Sequence, residues 1–331
     1  KERHLYRTDF NGTKLEKLTS TSGVHSVFMD VKSDQFVDIY HSLIQPPSVK
    51  ICSISTGSTE RNIFQQDYDD ISGMDLKPPD MISFITPGGT KLFGAIYKPD
   101  KKHGDGPFPT VVSVYGGPHA QMVTNGWNMT VAMRAQYLRE KGFLVFVLDN
   151  RGSARRGSTF ESVLKGNMGD LEVEDQEFGL NWLISQGLAD KDRIGIYGWS
   201  YGGYLTCMAL MRYPDVFQVG VAGAPVIDWT GYDTAYTERY MQKPSENQDG
   251  YSNGSVLPHV KNLLGKLLIV HGLIDENVHF RHTARLLNSL SEQQKHYDLV
   301  LFPQERHMPR KQLDLEYLEA RCLKYLVEHL Q

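Results

Sequence analysis

The chain has 331 residues, 35 basic against 39 acidic side chains and a net charge of −4. No basic block or stripe offers a surface for nucleic acid or anionic lipid, and no apolar run approaches the ~18 residues a membrane span needs. Three cysteines, Cys52, Cys207 and Cys322, are odd in number and form no C-x-x-C pair. Neither a disulfide framework nor a zinc site is implied, and a reducing, cytoplasmic compartment is expected.

Residues 1–75 read as antiparallel β material. Short β-prone runs at 25–31, 35–41 and 49–53 alternate with turn clusters such as Asp9-Phe10-Asn11-Gly12 and Ser55-Thr56-Gly57-Ser58. The stretch has no obvious core of its own, and small sheets of this kind bury their faces against neighbours. It is therefore expected to be the last part of a β-propeller whose other blades lie upstream. The chain starts at Lys1 rather than Met, which leaves room for such a segment. Three sequons, at Asn11, Asn128 and Asn253, are little more than chance supplies at this length.

From residue 76 the rhythm changes. Compact apolar runs suited to buried parallel strands fall at 110–114, 144–148, 193–197, 219–222, 267–271 and 299–302. Helical stretches lie between them. One at 129–141 is stopped by Gly142, one at 171–185 ends near Gly187, and one at 201–212 stops before Pro214. Further helices are expected at 283–290 and 313–330. Such alternation predicts an α/β, doubly wound and mostly parallel sheet over 76–331.

Gly198-Trp199-Ser200-Tyr201-Gly202-Gly203 is a G-x-S-x-G motif between a predicted strand and a predicted helix. That placement makes a nucleophile elbow: serine on a strained turn, glycines where backbones approach, and the Tyr201 N–H facing a developing oxyanion. A serine hydroxyl needs a base. In this arrangement an acid and a histidine follow in that order. Asp275 lies just past the 267–271 strand, and His307 just past the 299–302 strand. Asp275 would fix the tautomer of His307 and stabilise its imidazolium, and His307 would move the proton. His271, His279 and His282 have no metal-site spacing, so no metal and no cofactor is expected.

The motif resembles the dipeptidyl peptidase IV branch of the prolyl oligopeptidase family. So do Tyr115-Gly116-Gly117-Pro118, Arg151-Gly152-Ser153, Ala224-Pro225-Val226, the Tyr236–Met241 run and Asp275-Glu276-Asn277-Val278-His279-Phe280. The last of these, with Met168-Gly169 and Asp175-Gln176, is most similar to the cytosolic dipeptidyl peptidases and their bacterial and plant relatives. The resemblance implies an α/β-hydrolase domain capped by a propeller, and a serine peptidase that releases X-Pro or X-Ala dipeptides through an acyl-enzyme. It gives Tyr115 a hydroxyl in the oxyanion hole beside the Tyr201 N–H. It assigns Tyr201, Val226, Trp229, Tyr232, Tyr236 and Val278 to a proline pocket, and Asn277 to the carbonyl of the penultimate residue. It also implies a homodimer, which the amphipathic stripe Leu315, Leu318, Cys322, Tyr325, Leu326 and Leu330 could serve, unless the stripe packs on its own sheet.

Independently, Trp229, Tyr232, Tyr236 and Tyr240 fall at i, i+3, i+7 and i+11, one face of a helix. Their walls suit a small rigid ring, although a core stripe would look the same. One departure stands out. The family holds the substrate's amino group with adjacent glutamates, and before residue 75 only Glu2, Glu16 and Glu60 occur. The clamp is therefore expected upstream, or absent. The competing readings are a broader oligopeptidase or acylaminoacyl peptidase, a simple carboxylesterase, and a non-catalytic binding scaffold. The last fits poorly with a chain that keeps Ser200, Asp275 and His307.

Overall fold

The computed structural model describes residues 1–66 and 73–331. Residues 67–72, inside the stretch read as β material, lie outside the described residues. The chain divides into two compact units: 1–80 with 123–137, and 81–122 with 138–331.

The first unit holds two antiparallel sheets. A hairpin pairs β1 (Tyr6–Thr8) with β2 (Leu15–Lys17). Its turn is organised by Asp9, whose carboxylate accepts the Thr13 N–H at 2.7 Å. A four-stranded meander follows, of β3 (Val24–Asp30), β4 (Gln35–His41), β5 (Ser48–Ser53) and β6 (Thr59–Gln65), in that spatial order. On β4, Phe36, Asp38 and Tyr40 are buried while the residues between are half-exposed, the period-2 alternation of a one-sided sheet. Across β3 and β4 the buried His25 and Asp38 meet at 2.8 Å. β6 escaped the sequence reading because Thr-Glu-Arg-Asn-Ile-Phe-Gln shows no buried face, and all seven residues are exposed.

The second unit is built on one eight-stranded sheet. Its strands are β7 (Asp80–Ile85), β8 (Lys91–Tyr97), β9 (Phe108–Val114), β10 (Leu144–Asp149), β11 (Ala189–Trp199), β12 (Val219–Gly223), β13 (Lys266–Gly272) and β14 (Asp298–Phe302). The order is β14-β13-β12-β11-β9-β10-β8-β7. Strands β9 to β14 run parallel, and β8 runs antiparallel to β10, so the sheet is mixed. Every residue of β10 and β12 is buried, as strands covered on both faces require. The six apolar runs of the sequence are all strands, each extended by one to six residues.

Two helix expectations are corrected. The stretch 129–141 is two helices, Trp127–Thr130 and Met133–Glu140. At the break the Val131 and Ala132 N–H groups reach three or four residues back to Trp127 and Met129, where β-branched Thr130 and Val131 disfavour a regular turn. Trp229 to Tyr240 is not one helix either. Trp229–Gly231 is a 3-10 turn capped by Asp228, and Thr234–Met241 is an α-helix capped by Asp233. Each aspartate accepts a backbone N–H two or three residues on, which starts a new helix.

The last helix, Gln312–Leu330, buries Leu318, Cys322, Tyr325, Leu326 and Leu330. A Cβ added at Gly195 on β11 would lie 2.7 Å from Leu330 Cδ1. The stripe that could have served a dimer packs on its own sheet. All three cysteines are free and buried. Among the described residues no helix is long and apolar enough to cross a membrane.

Candidate active site

The chain runs from β9 to β10 on one side, then returns to β11 on the other side of β9. In open α/β sheets, ligands bind outside the carboxyl ends of strands where the winding reverses. Tyr115 follows β9 directly and Ser200 follows β11 directly, with Gly198 in register with Val114. Asp275 and His307 lie past the carboxyl ends of β13 and β14.

Ser200 sits at φ 60°, ψ −116°, a region that L residues rarely occupy. Such strain costs about 1–3 kcal/mol and must be held by its surroundings. Here the Ser200 N–H donates to Gly223 O at 2.8 Å, and Ser200 O accepts the Tyr204 N–H at 2.9 Å, which opens the helix Tyr201–Arg212. The glycines behind the serine let this helix start against the sheet. A Cβ on Gly202 would stand 2.3 Å from Val114 O, and one on Gly203 2.4 Å from Gly223 O. Ser200 stays half-exposed at the turn's apex. The Tyr201 N–H, first in its helix, has no partner four residues back.

Asp275 is buried, and His307 Nδ1 lies 2.8 Å from its Oδ2. The other oxygen, Oδ1, accepts the N–H groups of Asn277 and Val278, both at 2.9 Å. Burial alone would raise this carboxyl. Hydrogen bonds from His271 and His307, with the charge of His307, overcome it and hold the group well below the usual carboxylate range. Trp199, the residue before the serine, donates its indole N–H to His307 O at 2.8 Å and so ties the histidine loop to the elbow.

The aromatic residues gather as one cluster. Trp229 stands 5.4 Å from Tyr201, 5.9 Å from Tyr232 and 6.2 Å from Tyr236, ring centre to ring centre. Tyr115 faces Tyr201 at 6.2 Å. Its phenol is raised by burial, so its hydroxyl remains a donor near neutral pH. Val226 and Val278 are buried. Asn277 is exposed, and its Oδ1 accepts the Tyr232 hydroxyl at 2.7 Å. That bond uses the amide oxygen and leaves the Asn277 N–H groups as donors.

Two residues of the site went unread in the sequence. Glu172 is fully buried; its Oε1 accepts the Tyr201 hydroxyl at 2.6 Å and the Gly169 N–H at 2.9 Å. Burial raises its carboxyl to about 7. An acid in the first turn of a helix normally reads as a surface residue favoured by the helix dipole, so nothing in the sequence marks it. The other is His271, dismissed for its lack of metal spacing. It is fully buried, with Nε2 3.2 Å from Asp275 Oδ2.

Residues 129–331 match the prolyl oligopeptidase family, and the chain belongs to that family. It is 40% identical to dipeptidyl peptidase 8 of Mus musculus over 340 aligned residues, 99% of this chain and 38% of that protein. It is 31% identical to a probable dipeptidyl-aminopeptidase B of Arthroderma otae, over 92% of this chain and 34% of that protein. Among solved structures it is similar to dipeptidyl peptidase 4 of Porphyromonas gingivalis, with a TM-score of 0.91 and 29% identity over 99% of this chain and 46% of that one. The chain thus spans under half the length of these relatives.

Proposed function

We propose that the chain carries the catalytic part of a serine dipeptidyl peptidase. The observation that carries this is a strained, half-exposed Ser200 and a half-buried His307 bonded to the buried Asp275, all past the carboxyl ends of strands in one sheet. In this reading Ser200 attacks the carbonyl of the penultimate residue, and His307 Nε2 takes its proton. The C–N bond breaks as His307 returns that proton to the leaving amine, which frees the new N-terminus and leaves an acyl-enzyme on Ser200. Water then releases the dipeptide by the same proton relay. Asp275 keeps the His307 tautomer, and the Tyr115 hydroxyl and Tyr201 N–H receive the oxyanion. Trp229, Tyr232 and Tyr236, with Tyr201, Val226 and Val278, close on a proline or alanine side chain, and the Asn277 amide donates to the dipeptide's other carbonyl, that of its first residue, because the penultimate carbonyl is the one attacked.

The same reading makes the second unit an α/β-hydrolase domain and the four-stranded meander a propeller blade, with the boundary near residue 75. A homodimer would need a surface other than the stripe on the last helix; light scattering at micromolar concentration tests it. The central experiment is labelling with a fluorophosphonate. Ser200 is expected to be the labelled residue and Ser200→Ala to abolish labelling. A wild-type protein that resists the probe, or labelling that survives the substitution, would remove Ser200 as nucleophile.

A further inference from the structure

His271 ends one residue before the end of β13, with its ring wholly inside the protein. Nδ1 lies 2.7 Å from Thr283 Oγ1 on the helix Arg281–Glu292. Nε2 lies 2.8 Å from Val278 O and 3.2 Å from Asp275 Oδ2. A carbonyl and a carboxylate can only accept, so Nε2 must carry the hydrogen. A neutral ring then accepts the Thr283 hydroxyl at Nδ1, and all three contacts are satisfied by one tautomer.

Asp275 therefore faces four N–H groups: two backbone N–H groups bonded to Oδ1, the His307 ring bonded to Oδ2 at 2.8 Å, and the His271 Nε2–H, which bonds Val278 O at 2.8 Å and stands 3.2 Å from the same Oδ2. A carboxylate has about four such sites, so this one is full. His271 and His307 share a single oxygen. Whatever charge His271 draws from Oδ2 is unavailable to the imidazolium of His307.

We propose that His271 is a positioning residue that acts through Asp275: it fixes the carboxylate against β13 and restrains the basicity of His307. The proposal rests on the reading of Ser200, Asp275 and His307 as a triad. Without the His271 donor, Oδ2 binds the imidazolium more tightly. His307 then stays protonated to higher pH, and the nucleophile is activated later. The other titratable or charged groups near this couple are Tyr232, whose field reaches Asp275, the Glu276–Arg306 surface pair at 3.0 Å, and Glu305 on the histidine's own loop. Against Oδ2 itself stand the two histidines, His307 bonded at 2.8 Å and His271 at 3.2 Å.

Two substitutions separate the ring's two ends. His271→Gln can place an amide donor where Nε2 was, and gives up Thr283. His271→Asn can serve Thr283, and leaves Asp275 and Val278 O without their donor. The readout is the rate of fluorophosphonate labelling of Ser200 against pH, which requires the triad and not the whole substrate site. In His271→Asn the acid limb should move up by on the order of half to one pH unit, and labelling near pH 7 should slow accordingly. His271→Gln should track the wild type. An unmoved limb in His271→Asn, or equal slowing in both variants without a shift, overturns the proposal. A wild type that does not label fails the triad reading instead. The nitrogen-15 spectrum of histidine-labelled wild type stands apart from folding of the variants: His271 should remain the Nε2–H tautomer across neutral pH. A neutral ring protonated at Nδ1 would also overturn the proposal.

Discussion

Glu172 shows how a single buried carboxyl can write itself into the pH response of the whole unit. Its carboxyl rises from 4.5 to about 7, chiefly through burial. Below pH 4.5 it is protonated folded or unfolded. Between 4.5 and about 7 only the folded form holds the proton, so stability falls as pH rises through that window and levels off above it. The difference corresponds to about 3 kcal/mol at most. Glu172→Gln, which cannot ionise, should flatten this slope. Urea midpoints of both proteins from pH 5 to 8 are the measure, and parallel curves would show that Glu172 does not titrate there. A second residue-scale prediction concerns Tyr232. Its hydroxyl orients Asn277, so Tyr232→Phe should loosen that amide and raise KM for Gly-Pro amides about tenfold, with kcat nearly kept; one lost hydrogen bond is worth about 0.5–1.5 kcal/mol. A fall in kcat alone would move Tyr232 from binding to chemistry.

At the scale of elements, the elbow depends on a helix packed closer to its sheet than any Cβ permits. Gly203→Ala would drive a methyl group to within 2.4 Å of Gly223 O. Since Gly223 O also accepts the Ser200 N–H, the clash cannot be relieved without moving the serine. We expect a loss of about 1–3 kcal/mol in urea unfolding and a fall in labelling rate larger than the stability loss explains. Full labelling at reduced stability would show that the turn can yield without shifting Ser200. Elsewhere, sequence motifs turn out to carry scaffold. Arg151 pairs with Asp175 at 2.7 Å, and Gln176 donates to Asn150 at 3.0 Å. Asn150 in turn donates to Gly116 O at 3.0 Å and so steadies the loop after Tyr115.

At the scale of the whole molecule, the proposed activity would bring a peptide's ammonium group into the site. A charged ammonium entering a partly desolvated site needs an acidic partner, and Glu2, Glu16 and Glu60 are not adjacent in sequence. Residues 1–331 by themselves should therefore cleave free and N-acetylated Gly-Pro amides at similar kcat/KM. A preference for the free amine above tenfold would mean that the clamp lies within these residues.

The alternation of apolar runs with helical stretches determined the parallel strands, because a strand covered on both faces is apolar along its buried length, and Gly187 and Pro214 mark where two of the helices between them stop. The order of Ser200, Asp275 and His307 behind three such strands was legible for the same reason: each strand end delivers one residue to one edge. The exposed strand β6 and the break between Trp229 and Tyr236 were not legible. An edge strand with no buried face has no period to read, and two aspartate caps restarted a helix that the spacing ran straight through. Only the tertiary structure decided that Glu172 lies under Tyr201, that His271 shares an oxygen with His307, and that the stripe of the last helix packs on its own sheet. Burial and partners are set by residues distant in the chain, and no local pattern of charge or hydrophobicity records them.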